Sequence, residues 1–187
     1  MRYFKLFDDM RIHDRWELDS PIDKLGQEIW HGQFSQGIPL EIQTPAHIPL
    51  YAHGRALDYT TTALGIPVVH AKVKEIFERL GMQDHLQFFP ATIEGQVDSY
   101  FLLNALRVIR CIDDTRCEAV FYYTEEDDEP ERVGEYRNVR GMRIDPSQVG
   151  DTHFFRPWGW QITMIISERV KQALEEACVT GTRFTEV

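Results

Sequence analysis

The chain has 187 residues, of which 43% are hydrophobic and 27% are charged, as in globular proteins with a hydrophobic core. Its 30 acidic and 20 basic residues give a net charge of −10, which disfavours binding to nucleic acids or anionic membranes because both need a basic surface. The negative charge suits either a basic protein partner or solubility alone.

The sequence carries no targeting or disulfide pattern. No apolar run approaches the roughly 20 residues that span a bilayer, and charges interrupt the N-terminal MRYFKLFDDMRIHDRW where a signal peptide needs an apolar core. Cys111, Cys117 and Cys178 are odd in number and lack metal-site spacing. We therefore expect a cytoplasmic protein with structural thiols and no cofactor or bound metal.

The first third of the chain predicts short elements around a core. The alternating RYFKLF, residues 2–7, is typical of an opening strand. Periodicity is poor from residue 8 to about residue 37, although apolar residues such as Trp16, Leu25 and Trp30 suggest buried pieces. Glycine and proline then punctuate the sequence, which indicates short strands and loops that wrap a core.

A strand–helix–strand unit follows in the middle of the chain. The β-branched run IPVV precedes four apolar residues at i, i+3, i+4 and i+7, which form one helix face: Val73, Ile76, Phe77 and Leu80. Gly81 stands where a left-handed C-terminal cap favours a residue without Cβ. The segment LQFFPATI then predicts a strand that the proline and the nearby glycine end.

The same unit recurs at the C-terminus, shifted by 97 residues. After ITMII, Ser167 is a good N-cap, and four residues repeat the apolar helix face: Val170, Ala173, Leu174 and Ala177. Gly181 is expected to close the unit before the strand TRFTEV. The sequence therefore predicts an α+β fold in a single domain, residues 1–187, with a mixed or antiparallel curved sheet and two principal helices from two strand–helix–strand units.

An acidic run stands between the two units. The segments DSYFLLNALRVIRCID and AVFYY are typical of buried strands, and EEDDEPE follows them. A self-repelling run with a proline favours an exposed loop or hairpin tip, which is either simply solvated or a surface for a basic partner. Its carboxylates belong to Glu125, Glu126, Asp127, Asp128, Glu129 and Glu131.

An aromatic cluster precedes the second unit. Phe154, Phe155, Trp158 and Trp160 are expected to anchor the core beside ITMII. An alternative is that part of the cluster is exposed as a protein-binding hot spot, in which tryptophan and arginine are enriched. In that case Trp158 and the nearby Arg156 would contact a partner.

Only one weak constellation suggests chemistry by the chain itself. His47 and His53 flank a loop, and Asp113 with Asp114 follow a predicted strand, so the four could assemble a metal or small-molecule site across the sheet. The aspartates are equally suited to capping a turn. The serines lack the glycine-flanked elbow of a nucleophile, and no phosphate-binding glycine loop is present.

The C-terminal segment IISERVKQALEEACVTGTRF, residues 165–184, resembles immunity protein family 11 of bacterial polymorphic toxin systems, formerly a domain of unknown function. Residues 58–95 and 100–113 also resemble it, so residues 56–187 form the family-like core and residues 1–55 match weakly. The resemblance implies a cytoplasmic protein that binds and neutralises a cognate toxin encoded nearby, and it supplies no catalytic residues.

Two hypotheses from different classes follow. An immunity protein would present a broad surface, to which the acidic run, Arg156 and Trp158 contribute. A small-molecule- or metal-binding protein or enzyme would instead gather His47, His53, Asp113 and Asp114 in a pocket. In either case, pairing of sheet edges across a two-fold axis is compatible with a homodimer.

Overall fold

A computed structural model describes all 187 residues and confirms the α+β prediction. The helices are α1 (Ala71–Arg79) and α2 (Glu168–Glu176). The strands are β1 (Tyr3–Asp8), β2 (Glu17–Leu18), β3 (Ala46–Ile48), β4 (Leu50–Ala52), β5 (Tyr59–Thr61), β6 (Pro67–His70), β7 (Leu86–Ile93), β8 (Tyr100–Ala105), β9 (Val108–Ile109), β10 (Ala119–Tyr122), β11 (Tyr136–Arg140), β12 (Phe154–Pro157), β13 (Met164–Ser167) and β14 (Thr182–Glu186). Neither helix is long and apolar enough to cross a membrane.

Two five-stranded mixed sheets share one arrangement. Their orders are β14-β1-β13-β12-β9 and β3-β7-β8-β6-β5. In each, a strand–helix–strand unit (β6-α1-β7 or β13-α2-β14) contributes two parallel strands, and an antiparallel strand lies between them. That middle strand is β8 in the first unit and the N-terminal β1 in the second, so the second unit is a circularly permuted copy of the first.

The starts of the two helices differ from the sequence expectation. Ser167 occupies the N-cap position of α2, but its side chain makes no capping hydrogen bond and instead lies 2.9 Å from His153 Nδ1. At α1 the Nδ1 atom of His70 accepts a hydrogen bond of 3.2 Å from the backbone N–H of Lys72. His70 is therefore a side-chain cap of α1, whereas α2 has no side-chain cap because the Ser167 hydroxyl contacts His153.

The two helices end in the same backbone conformation on different residue types. Gly81 has a φ of +76° and occupies the left-handed position after α1, as predicted. After α2 that position belongs to Cys178, with a φ of +50°, and not to Gly181. Gly181 is needed for close packing against β5, since a Cβ atom there would overlap the carbonyl oxygen of Tyr59.

A central core lies between the two sheets and both helices. It contains Phe4, Leu6, Tyr59, Val69, Val73, Ile76, Phe77, Met82, Leu86, Leu103, Ala105, Phe154, Met164, Ile166, Val170 and Leu174. The segment from residue 12 to residue 57 covers the outer face of one sheet, and the segment from residue 109 to residue 149 covers the other. The expectation of burial was wrong for Leu25 and Trp30, which are 73% and 59% exposed.

A buried ion pair joins the two sheets. The carboxylate of Asp8, at the end of β1, accepts hydrogen bonds from Arg15 Nη1 at 2.7 Å and Nη2 at 2.6 Å. It also accepts bonds from the Thr60 hydroxyl and from the backbone N–H and hydroxyl of Thr61, both on β5. Both charged side chains are 6% exposed, so the pair is a fully hydrogen-bonded link between a strand of each sheet.

Candidate partner-binding surface

The acidic run lies at the tip of a hairpin. Strands β10 and β11 pair antiparallel, and residues 123–135 connect them, as the sequence predicted. Internal bonds order this tip: the Asp127 carboxylate accepts from the backbone N–H and the hydroxyl of Thr124, and the Arg132 guanidinium lies 4.0 Å from the ring centre of Tyr123. The acidic side chains therefore project from a loop whose conformation these contacts stabilise.

Two of the six carboxylates are neutralised within the tip. Arg137 Nη1 lies 2.8 Å from Asp127, and Arg132 Nη1 lies 2.8 Å from Glu129. The hydrogen bonds from Thr124 hold the pKa of Asp127 below its usual value. The remaining four are exposed and form no ion pair: Glu125, Glu126, Asp128 and Glu131. We call these four residues the free carboxylates; they give the tip its negative field.

A groove of about 700 Å³ adjoins the tip. Tip residues Tyr123, Glu131, Arg132 and Glu135 form one wall, and two large apolar side chains rise from the other walls. Trp30 is 59% exposed and Ile162 is 76% exposed. The Trp30 ring lies so close to Gly32 that a Cβ atom there would overlap it. Exposed apolar side chains beside a polar rim are typical of protein-binding surfaces.

The sequence predicted burial for both apolar residues, because each lies in an apolar stretch. Trp30 lies among the apolar residues that suggest buried pieces, and Ile162 is the first residue of the apolar run ITMII. Strand β13 begins only at Met164, so Ile162 belongs to the preceding turn and faces solvent. Only the poor periodicity around Trp30 and the proximity of Gly159 to Ile162 marked these segments as irregular.

Arg156 requires a correction. The alternative that Arg156 contacts a partner is wrong, because its side chain is only 3% exposed on a strand whose four residues are all buried. Its Nη1 donates a hydrogen bond of 2.5 Å to the carbonyl oxygen of Gln161, while burial lowers the pKa of the guanidinium to about 10. Arg156 thus supports the turn that presents Ile162 and does not reach the surface itself.

The aromatic cluster divides between core and surface. Phe154 and Phe155 are fully buried, as expected of core anchors. Trp158 and Trp160 are partly exposed. The Arg110 guanidinium stacks on Trp158 at 3.5 Å from the ring centre, whereas Trp160 lines the groove. A contact between Trp158 and a partner stays a prediction.

The alternative chemical site does not assemble. His47 and His53 are exposed, and Nδ1 of His47 lies 3.2 Å from the Thr92 hydroxyl on its own sheet. Asp113 caps a turn by accepting from the backbone N–H and the hydroxyl of Thr115. Asp114 accepts from the hydroxyls of Tyr122 and Tyr136, at the base of the hairpin. No group of three histidine, cysteine, aspartate or glutamate side chains has a metal-binding arrangement.

Comparison with known proteins supplies the family. Among curated proteins no match is found. The sequence model of the immunity protein family Imm11 matches residues 1–187, which includes the first 55 residues as well as the part that carried the resemblance. The chain therefore belongs to the Imm11 immunity protein family.

Proposed function

We propose that this protein binds a cognate toxin in the cytoplasm and neutralises it stoichiometrically, without catalysis of its own. Membership of an immunity protein family supports a toxin as the partner. The observation that carries the location of the contact is the groove that presents Trp30 and Ile162 and has Glu131, one of the free carboxylates of the acidic tip, in its wall. Three unpaired cysteines suit a reducing compartment.

The two parts of this surface have different physical roles. Trp30 and Ile162 bury apolar area when a partner covers the groove, and such anchors carry most of the affinity in protein interfaces. The free carboxylates attract a basic partner over a distance of about 8–10 Å at physiological salt, so they mainly accelerate association. The proposed toxin surface is therefore basic at its rim and apolar at its centre.

The test of function is rescue from toxicity. The large protein encoded beside this one is expressed in a sensitive host, with and without this chain, and growth is followed. We expect growth to recover with this chain and a one-to-one complex to be isolated. Toxicity that persists with well-folded chain present would refute neutralisation of that partner.

The test of the surface uses charge variants matched in number. Replacing the four free carboxylates with lysine is expected to slow association by about tenfold or more and to abolish its salt dependence. The control replaces four exposed, unpaired carboxylates elsewhere, Glu75, Asp84, Asp98 and Glu176, and changes the net charge equally. Rescue with equal effects of both variants would leave the function standing and overturn this location.

The apolar anchor is tested separately. Trp30→Ala is expected to weaken the complex by about 2 kcal/mol, roughly thirtyfold in Kd, chiefly through faster dissociation. Tyr51→Ala is the matched control, because Tyr51 is 76% exposed and lies outside the groove. Surface plasmon resonance measures both rates, and unchanged dissociation in Trp30→Ala would exclude Trp30 from the contact.

A further inference from the structure

Strand β14 presents an unpaired edge with a regular hydrogen-bonding pattern. It is the last strand of its sheet and pairs with β1 over five consecutive residues without a bulge. Val187 N–H donates to Tyr3 O at 3.1 Å and Asp9 N–H donates to Gly181 O at 2.9 Å, so the odd-numbered residues bond to β1. The backbone groups of Thr182, Phe184 and Glu186 therefore point away from the sheet.

This edge has no neighbouring strand, whereas the edges at β5 and β3 are covered in part. A groove of about 650 Å³ follows β14 from Thr182 to Thr185, with helix α2 as its other wall. The β5 edge is closed where Tyr59 N–H donates to Thr180 O at 3.0 Å, and the β3 edge is bridged by Ile22. Strand β14 has no proline, bulge or covering loop to block the edge; its only edge-blocking features are the charges of Arg183 and Glu186.

We propose that β14 pairs antiparallel with β14 of a second copy of this chain. The three outward residues are spaced symmetrically about Phe184, so a two-fold axis there places Phe184 opposite its counterpart and Thr182 opposite Glu186. Each facing pair then exchanges two backbone hydrogen bonds. Arg143 Nη1 already donates to Glu186 O at 3.1 Å, and this carbonyl retains a second lone pair for the partner.

The local charges do not oppose self-association at this edge. Lys171 lies 2.7 Å from Glu175 and Arg2 lies 2.6 Å from Glu186, so the carboxylates beside β14 are already paired within each copy. The hairpin edge β10 is a poor alternative for a second copy, since it carries the bulge at Phe121 and lies next to the acidic tip, which repels its like. Among the uncovered edges, β14 is the self-complementary one.

Dimerisation at β14 leaves the acidic surface free. The hairpin attaches to the opposite side of the same sheet, where Tyr136 N–H donates to Gly159 O at 3.1 Å just after β12. Two sheets joined at β14 would form one continuous ten-stranded sheet with an acidic tip toward each far end. The dimer would thus hold two toxins, one for each copy.

Sedimentation velocity of the full chain over a range of concentrations tests this proposal. Wild type is expected to dimerise, and Phe184→Glu or Phe184→Lys to raise the dimer dissociation constant about tenfold or more, because each variant opposes like charges at the axis. Mixing the two variants is expected to restore a heterodimer, a result that misfolding of either variant cannot produce. Phe7→Glu is the control, since Phe7 is 36% exposed on the inner strand β1.

Two results would overturn the proposal. One is a wild-type protein that stays monomeric at every concentration, which would leave the edge free for a strand of another protein. The other is a dimer that both Phe184 variants leave intact, which would place the interface elsewhere. Neither result depends on the identity of a toxin, so the proposed function is tested independently.

Discussion

Removal of the Asp8 carboxylate is expected to destabilise the whole fold. In Asp8→Ala the Arg15 guanidinium stays buried without a counter-charge, and the donors of Thr60 and Thr61 lose their acceptor. Breaking a buried ion pair from one side costs about 3–5 kcal/mol, a large share of the 5–15 kcal/mol that typically holds a domain together. Urea unfolding followed by tryptophan fluorescence measures the loss as a lower midpoint at unchanged slope.

The neighbouring pair provides the control. Asp9 lies 2.8 Å from Arg11, whose side chain is 69% exposed, so Asp9→Ala is expected to cost less than about 1 kcal/mol. The double variant Asp8→Leu/Arg15→Met removes both charges and should recover the part of the loss that comes from the unpaired guanidinium, while the Thr60 and Thr61 donors still lack their acceptor. A cost for Asp8→Ala no larger than that for Asp9→Ala would refute the reasoning that this pair ties the two sheets together.

Three further predictions concern the helix ends, the thiols and the histidines. Gly81→Ala should cost about 1 kcal/mol and Cys178→Gly should stabilise by up to about 1 kcal/mol, because both positions are left-handed; urea midpoints moving the other way would contradict this. Cys178 is exposed and should be alkylated in the native protein, whereas Cys111, whose pKa burial raises to about 12, should react only on unfolding, as mass spectrometry of timed samples will show. Burial lowers the pKa of His85 and of His153 from the usual 6.5, so below pH 6.5 the unfolded chain binds more protons than the folded chain. The free energy of unfolding should therefore decline as the pH falls through 6.5. Replacing both histidines with glutamine should flatten this decline, measured as urea midpoints between pH 7 and pH 5.

The order of the central strands could not be predicted from the sequence. RYFKLF was recognised as a strand, yet nothing local shows that β1 inserts between β13 and β14. That pairing joins the two ends of the chain. Its stability comes from the apolar face that Phe4 and Leu6 present to the central core, a contact that depends on residues more than a hundred positions away.

The sequence predicted the exposure of the acidic tip but not the pairing of its carboxylates. A run of carboxylates with a proline predicts an exposed tip wherever it occurs, because solvation and repulsion act locally. Which carboxylates remain unpaired was not predictable, since Arg137 reaches Asp127 only once β10 and β11 pair. The burial of Arg156 likewise depends on the distant segments that cover both faces of its sheet, where all four residues of β12 are buried.

The sequence by itself determined the two helices, their buried faces and the repeat that relates them. These features follow from periodicity and from capping within a few residues, and α1 shifted by 97 residues coincides with α2. The same shift aligns Gly81 with Cys178, and both have a positive φ. The sequence did not predict this for Cys178, because a cysteine is not the residue type expected in the left-handed position. Only the tertiary structure decided how the units combine and which side chains face solvent at the groove, because those outcomes depend on contacts between distant segments.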